Sequence, residues 1–157
     1  MGVMASGSAA TVPVIGLRQL YYGAVAAGRK TVEGRKNTPR WAALCAGALV
    51  RVVCDEADCP SAGQSFLARV VSVATYMPDA AEVAAVEKGH HRASAEAVLR
   101  RYLAAETLAA TLPGVMTLEG GVAAYLSLWG AEEVARFGVR ALRLARLDAA
   151  AVREPLA

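Results

Sequence analysis

Two segments rich in β-branched residues restrict the fold of this chain more than any other feature of the sequence. The segments run from Ala48 to Cys54 and from Phe66 to Tyr76, and an acidic loop between Asp55 and Gln64 separates them. Runs of this length and composition, bounded by turn-forming residues, predict β-strands. We therefore expect the two strands to pair as a hairpin, with the loop exposed.

Two further strands are predicted on either side of this hairpin. An apolar stripe from Leu17 to Val25 predicts a first helix that ends near Ala27, because Gly28 stands where a C-cap glycine belongs. The next residues, Thr31 to Arg35, predict a short strand. The last clear segment, Val139 to Leu147, predicts a strand of mixed burial.

The segment between the hairpin and the last strand predicts helices. Asp79, followed three residues later by Glu82, forms a capping-box pattern at a helix start. Two further amphipathic stripes follow, and Thr117 is placed to cap the second of them. The predicted order is helix, strands, helices, strand. It favours an α+β fold in which the sheet curls into a partly open β-barrel with flanking helices.

The length of 157 residues suits one domain with its own core. We assign residues 15–147 to this domain, residues 1–14 to a flexible leader and residues 148–157 to a C-terminal tail. The longest apolar run contains Arg51 and is too short to span a bilayer, so we expect no membrane partner. The oligomeric state stays open.

Cysteine content and charge restrict the function classes. Cys45, Cys54 and Cys59 form no CxxC pair, and the odd count argues against a disulfide framework. We expect surface thiols, no metal, no cofactor and an intracellular location in the cytoplasm or the nucleus. The net charge of +3 permits binding to a polyanion but does not demonstrate it.

The residues from Gly28 to Arg35 carry the densest charge in the chain. Lys30 offers an ammonium, Glu33 a carboxylate and Arg35 a planar set of donors. Strand pleating predicts that Thr31, Glu33 and Arg35 lie on one face. One explanation of these charges is an ion pair on the protein surface. The chemical alternative is catalysis, with Glu33 as general base or orienting group and Lys30 or Arg35 stabilising negative charge.

The spacing GxKxxExR, directly after a helix that contains Leu17-Arg18-Gln19, resembles the signature of ASCH domains, a branch of the PUA-like superfamily. The similarity extends over roughly residues 15–147. It includes the aromatic Trp41, the strand that ends at Tyr76, and the late residues Tyr125 and Trp129. The resemblance implies a PUA-like barrel with a cleft beside the motif that binds RNA or a nucleotide.

Some ASCH domains are enzymes, and the resemblance therefore implies alternatives. One group similar to this chain removes the acetyl group of N4-acetylcytidine with a lysine, a threonine and a glutamate. Here Lys30 matches the lysine, Glu33 stands in place of the threonine, and Glu106 and Glu119 are the nearest candidates for the glutamate. A ribonuclease and a protein-interaction adaptor or transcription coactivator are further alternatives.

Outside the motif, four residues are candidates for the ligand site. Arg40 and Trp41 follow the motif closely, and we interpret them either as a cleft rim that contacts phosphate and base or, for Trp41, as a core residue. Tyr76 and Tyr125 can stack on a base. For Tyr125 and Trp129, the spacing along the helix favours packing, with the tyrosine hydroxyl able to reach the cleft.

Overall fold

The computed structural model describes residues 12–57, 59–61 and 63–147. The strands are β1 (Val14–Leu17), β2 (Val32–Lys36), β3 (Leu49–Cys54), β4 (Ser65–Tyr76) and β5 (Val139–Arg146). The helices are α1 (Gln19–Ala26), α2 (Pro39–Ala42), α3 (Ala80–Glu87), α4 (His91–Glu106), α5 (Leu108–Thr111), α6 (Leu118–Trp129) and α7 (Ala131–Phe137).

The five strands form one curled sheet in the order β1-β3-β4-β5-β2. The predicted hairpin is confirmed, because β3 and β4 pair antiparallel with Val52 opposite Phe66. β1 lies parallel to β3, and β5 lies antiparallel between β4 and β2. A register shift between Val70 and Ser72 interrupts the β4–β5 ladder, as a β-bulge does where a sheet bends. The fold is thus the predicted α+β half-barrel, with β1 and β2 as its two edges.

Apolar side chains pack on both faces of this sheet. The concave face, together with α1 and α2, forms what we call the barrel core, and it contains Ile15, Val50, Val52 and Leu142, all fully buried. The convex face of β2 and β5 packs on α4, α6 and α7 and forms what we call the helix core, centred on Tyr102. Because the β-pleat alternates, β5 supplies Leu142 to one core and Ala141 to the other.

Several elements form as their sequences predict. α3 begins with a complete capping box, since Asp79 accepts from the Glu82 main chain and Glu82 accepts from the Asp79 main chain. Thr117 caps α6 through the main-chain nitrogen of Gly120. The first helix is shorter than expected, because the residues up to Leu17 belong to the strand β1.

The expectation of surface thiols is wrong for two cysteines. Cys54 and Cys59 are joined in a disulfide, whereas Cys45 is free and exposed. The loop after β3 folds back onto the start of α1, where Gln19 accepts from the Ser61 main chain and donates its own main-chain N–H to Glu56. This reversal brings Cys59 into contact with Cys54.

Two expectations concern the ends of the chain. Of the predicted leader, residues 1–11 lie outside the described residues, as does the predicted tail from residue 148. The last leader residue, Val14, begins β1, and the carbonyl of Pro13 accepts from the Arg51 main chain. In the part of the chain that the structure describes, no helix combines the length and the apolar character needed to cross a membrane.

Candidate functional site

The charged motif lies on the edge strand β2, at the opening between the β1 and β2 edges of the half-barrel, which we call the seam. β2 pairs only with β5, so its other edge faces β1 across the opening. Alternation along β2 places Val32 in the helix core and directs Glu33 and Arg35 to the opposite face. The predicted shared face of Glu33 and Arg35 is present, and the two side chains are joined at 2.7 Å.

Lys30 lies just before β2 and is only 3% exposed. Its ammonium donates to the carbonyls of Val32 and Thr111, each at 2.5 Å, and lies 3.3 Å from the Glu33 carboxylate. Burial lowers the pKa of Lys30, and the adjacent Glu33 carboxylate opposes that shift. Since an ammonium has three hydrogens, these three acceptors satisfy all of them. Lys30 thus fixes the position of Glu33.

Arg35 bridges the two edges of the sheet. Its Nε donates to Glu33, and its Nη2 donates to the main-chain carbonyl of Gly16 on β1 at 3.0 Å. The guanidinium also lies over the ring of Trp41, with 4.9 Å between Cζ and the ring centroid. A planar cation held on its face and at two nitrogens has little freedom to rotate. Its Nη1 makes no hydrogen bond within the described residues.

A tyrosine pair supports the strand from behind. The Tyr102 hydroxyl lies against Gly34 and is hydrogen-bonded to the Tyr125 hydroxyl at 3.0 Å. Burial raises the pKa of both phenols well above its usual range, so both stay protonated. The ring of Tyr125 also packs on Trp129, with 4.6 Å between their centroids. These contacts fix the helix α6 against the site.

A cleft of about 640 Å³ opens at this seam. The size suits a single nucleotide or small ligand. β1 and the start of α1 form one wall, the charged motif forms the floor, and the end of α6 forms the other wall. The lining residues with polar or aromatic groups are Arg18, Tyr21, Lys30, Glu33, Arg35, Asp55, Tyr125, Ser127 and Trp129.

The structure brings together only some of the predicted site residues. Lys30, Glu33, Arg35 and Tyr125 line the cleft. Thr31 does not line it, and its main chain instead pairs with Ala110 and Leu144.

Arg40 and Trp41 lie behind Arg35 and outside the cleft lining. Trp41 is a buried member of the barrel core, which agrees with its interpretation as a core residue. The Arg40 guanidinium also lies 4.7 Å from the Trp41 ring and donates to the Val14 carbonyl. Trp41 therefore contacts two arginines that both bind the free edge of β1.

Tyr76 and the two candidate glutamates also lie away from the cleft lining. Tyr76 donates to Glu106, and desolvation together with that carboxylate raises the pKa of Tyr76 to about 12. The second oxygen of Glu106 binds Arg143, and Glu119 binds Arg100 on the surface. Neither glutamate completes a triad with Lys30.

Sequence reasoning did not identify four of the cleft residues. Arg18, Tyr21, Asp55 and Ser127 come from β1–α1, the loop after β3 and α6. Only the tertiary fold brings these segments to the motif. The single local indication is that Arg18 and Tyr21 flank the start of a helix that leads into the motif.

Comparison with known proteins supports the fold. The crystal structure of hypothetical protein PH0355 has a TM-score of 0.62 at 19% sequence identity and covers 87% of this chain and 100% of that chain. The solution structure of protein PF0455 from Pyrococcus furiosus has a TM-score of 0.58, also at 19% identity, and covers 88% and 99%. No family model and no curated protein matches the chain. The likeness establishes the half-barrel architecture alone.

Proposed function

We propose that this chain is an ASCH-like domain that binds RNA or a nucleotide in the seam cleft. One observation carries the proposal: the buried Lys30 and Glu33 and the partly buried Arg35 form a single network on the floor of a nucleotide-sized cleft. A surface ion pair, the alternative explanation of the motif, would leave the charges in water. Here Lys30 and Glu33 are 3% and 6% exposed.

Removing these charges from water costs free energy. Desolvating an ion pair commonly offsets its Coulomb attraction, so a buried pair is poor evidence for stability alone. Charged groups held rigidly at a cleft floor are typical of ligand sites. This supports a binding role for the network.

The charge balance of the cleft indicates which part of a nucleotide lies deepest. Arg18, Lys30 and Arg35 are opposed by Glu33 and Asp55 among the lining residues. Lys30 has no free hydrogen, and Arg35 has already committed two of its nitrogens. We therefore place the base and ribose at the floor and a phosphate near the exposed Arg18. Trp129, which lines the cleft and is partly exposed, offers aromatic surface for the base, and the buried Tyr125 supports its ring.

The test compares binding by variants that lose one cleft group each. We expect Arg35→Ala to weaken the binding of nucleotides and short single-stranded RNA by about tenfold or more, since a charge-assisted hydrogen bond is lost. Arg136→Ala, which removes an exposed arginine outside the cleft, is the matched control. Titration calorimetry measures affinity, and circular dichroism verifies folding.

Glu33→Gln tests the carboxylate at nearly constant shape. We expect weaker binding, because the amide no longer holds both Lys30 and Arg35 in place. Glu132→Gln, an exposed change of the same kind, should leave affinity unchanged. Equal affinity of wild type, Arg35→Ala and Glu33→Gln for every nucleic-acid ligand that the wild type binds would refute the proposal. No binding even at low salt would favour the adaptor alternative.

A hydrolase that acts on a modified nucleoside or single-stranded RNA is the second candidate. The observation that favours it is the buried lysine with a lowered pKa beside a carboxylate, an arrangement typical of acid–base sites. Incubation with N4-acetylcytidine and short RNA oligomers tests it. Product formed by the wild type and abolished in Glu33→Gln would establish turnover.

A further inference from the structure

The two carboxylates of the cleft differ in what they bind. Glu33 uses one oxygen for Lys30 and the other for Arg35. Asp55 is exposed on the rim, and in the described part of the chain its carboxylate makes no hydrogen bond or ion pair. A carboxylate is an acceptor with about four lone-pair sites. Because Glu33 is only 6% exposed and holds two cations, Asp55 is the cleft carboxylate whose acceptor sites are open to a ligand.

The position of Asp55 depends on a glycine. Its main-chain nitrogen donates to the Leu17 carbonyl at 2.8 Å, which continues the β1–β3 ladder. Its side chain lies over Gly16, where a Cβ would come within 2.8 Å of Asp55 Oδ2. The carbonyl of the same Gly16 accepts from Arg35. Gly16 is therefore next to both the Asp55 carboxylate and the Arg35 guanidinium.

Asp55 and Arg35 together present hydrogen-bond acceptors and donors to the cleft. Asp55 offers two carboxylate oxygens, and Arg35 offers the hydrogens of Nη1. Among nucleobases, guanine has the complementary order along its edge: the donors N2–H and N1–H come first, followed by the acceptors O6 and N7. Uracil presents one donor between two carbonyls, so a carboxylate facing it meets a repulsive acceptor.

We propose that Asp55 is the specificity-determining residue of the cleft and selects a guanine base by accepting from N1–H and N2–H. The inference rests on the proposed function and adds the class of base to it. The base then spans the cleft from Asp55 on the rim to Arg35 at the floor, with O6 towards Arg35. The partly exposed ring of Trp129 is available to the face of the base.

Inosine provides the matched ligand for the test, because it lacks only the 2-amino group of guanosine. We expect the wild type to bind guanosine about tenfold or more tightly than inosine, as expected for one hydrogen bond to a charged acceptor. In Asp55→Asn the preference should fall to about twofold or less, since an amide offers one acceptor and adds a repelling donor. Titration calorimetry measures the four affinities.

Gly16→Ala tests the same contact without changing any charge. The added methyl group must displace the Asp55 carboxylate, and it should reduce the preference as Asp55→Asn does. Glu132→Gln removes one exposed negative charge elsewhere and should keep the full preference. Thermal melting of each variant shows whether it is folded, and Asp55→Asn, a surface change, suffices if Gly16→Ala does not fold.

The outcomes separate the two proposals. If the wild type binds nucleosides without preferring guanosine over inosine, or if Asp55→Asn keeps the preference, Asp55 does not select the base and the proposed function stands. If the wild type binds neither nucleosides nor short RNA, both proposals fail. A preference for guanosine that the wild type and Glu132→Gln show, and that Asp55→Asn and a folded Gly16→Ala lose, supports the assignment.

Discussion

At Gly34 the main chain of β2 approaches the helix core so closely that no side chain fits. A Cβ there would overlap the Tyr102 hydroxyl oxygen and come within 2.7 Å of its Cζ. Tyr102 is fully buried and cannot swing away, because its ring also packs on Tyr76 and Tyr125. The glycine between Glu33 and Arg35 therefore sets the distance between the motif and α4.

We predict that Gly34→Ala lowers the free energy of unfolding by about 1–3 kcal/mol through overpacking. Chemical denaturation measures the loss. The double variant Gly34→Ala with Tyr102→Phe removes the overlapping oxygen, so its cost should be smaller than the sum of the two single costs. Strict additivity would show that the hydroxyl is not the obstacle. Gly23→Ala is the control, since nothing but the end of Gln19 lies near its Cβ position.

The sequence predicts the residues of the site that share one strand, and it fails for those that do not. Glu33 and Arg35 meet because a strand has a period of two, and Lys30 lies three residues before Glu33. Asp55 reaches the cleft only because β3 pairs parallel with β1 and ends beside Leu17. No local sequence pattern indicates that β1 and β3 pair. The roles of Arg40 and Trp41 also depend on this pairing, because both lie at the free edge of β1.

The free edge of β1 is covered by side chains instead of a strand. Arg35 and Arg40 donate to the carbonyls of Gly16 and Val14, two residues apart, and both guanidiniums lie on the ring of Trp41. Alternate carbonyls along one edge of a strand point the same way. Unpaired edges invite pairing with other chains, and this stack occupies that edge.

We predict that Arg40→Ala lowers the free energy of unfolding by about 1 kcal/mol, as expected for one lost hydrogen bond. Amides that tie β3 to β1, including those of Arg51 and Asp55, should exchange with solvent faster. Hydrogen-exchange mass spectrometry measures this effect. Arg40→Lys should recover only part of the protection, because an ammonium lacks the planar surface that packs on Trp41.

Arg92→Ala is the control for this prediction, since Arg92 is an exposed arginine that pairs with Glu96 on α4. It should leave exchange in β1 and β3 unchanged. Equal protection of these strands in Arg40→Ala and wild type would show that the edge needs no covering arginine.

Elements with regular patterns were predicted, whereas some short elements were not. The hairpin, the capped helices α3 and α6, and β5 follow from alternation and capping residues. β1 spans four residues and was not predicted: Val14 was assigned to the leader, and Leu17 to the first helix because Leu17 and Leu20 fit helical spacing. α5 and α7 are short helices that gain stability from packing rather than propensity, so local sequence indicates them weakly.

The described part of the chain contains two cores that share one sheet. β5 contributes Leu142 and Leu144 to the barrel core and Val139 and Ala141 to the helix core. Tyr21 packs against both cores at the cleft. If β5 detaches, both cores lose buried side chains and become exposed to water. We therefore expect the two cores to unfold together. The cleft lies where the cores meet, and its rigidity depends on both.

The two tryptophans of the chain allow a direct test of this coupling. Trp41 belongs to the barrel core and Trp129 packs against the helix core, so Trp129→Phe and Trp41→Phe each leave one fluorescent reporter. In each variant, we predict that the denaturation curve from tryptophan fluorescence coincides with the curve from far-ultraviolet circular dichroism, as two-state unfolding requires. Trp41→Phe should lower the midpoint more, because Trp41 is buried whereas Trp129 is partly exposed. A fluorescence midpoint that differs from the dichroism midpoint of the same variant would show that one core unfolds first, and the cleft would then be a junction between independent units.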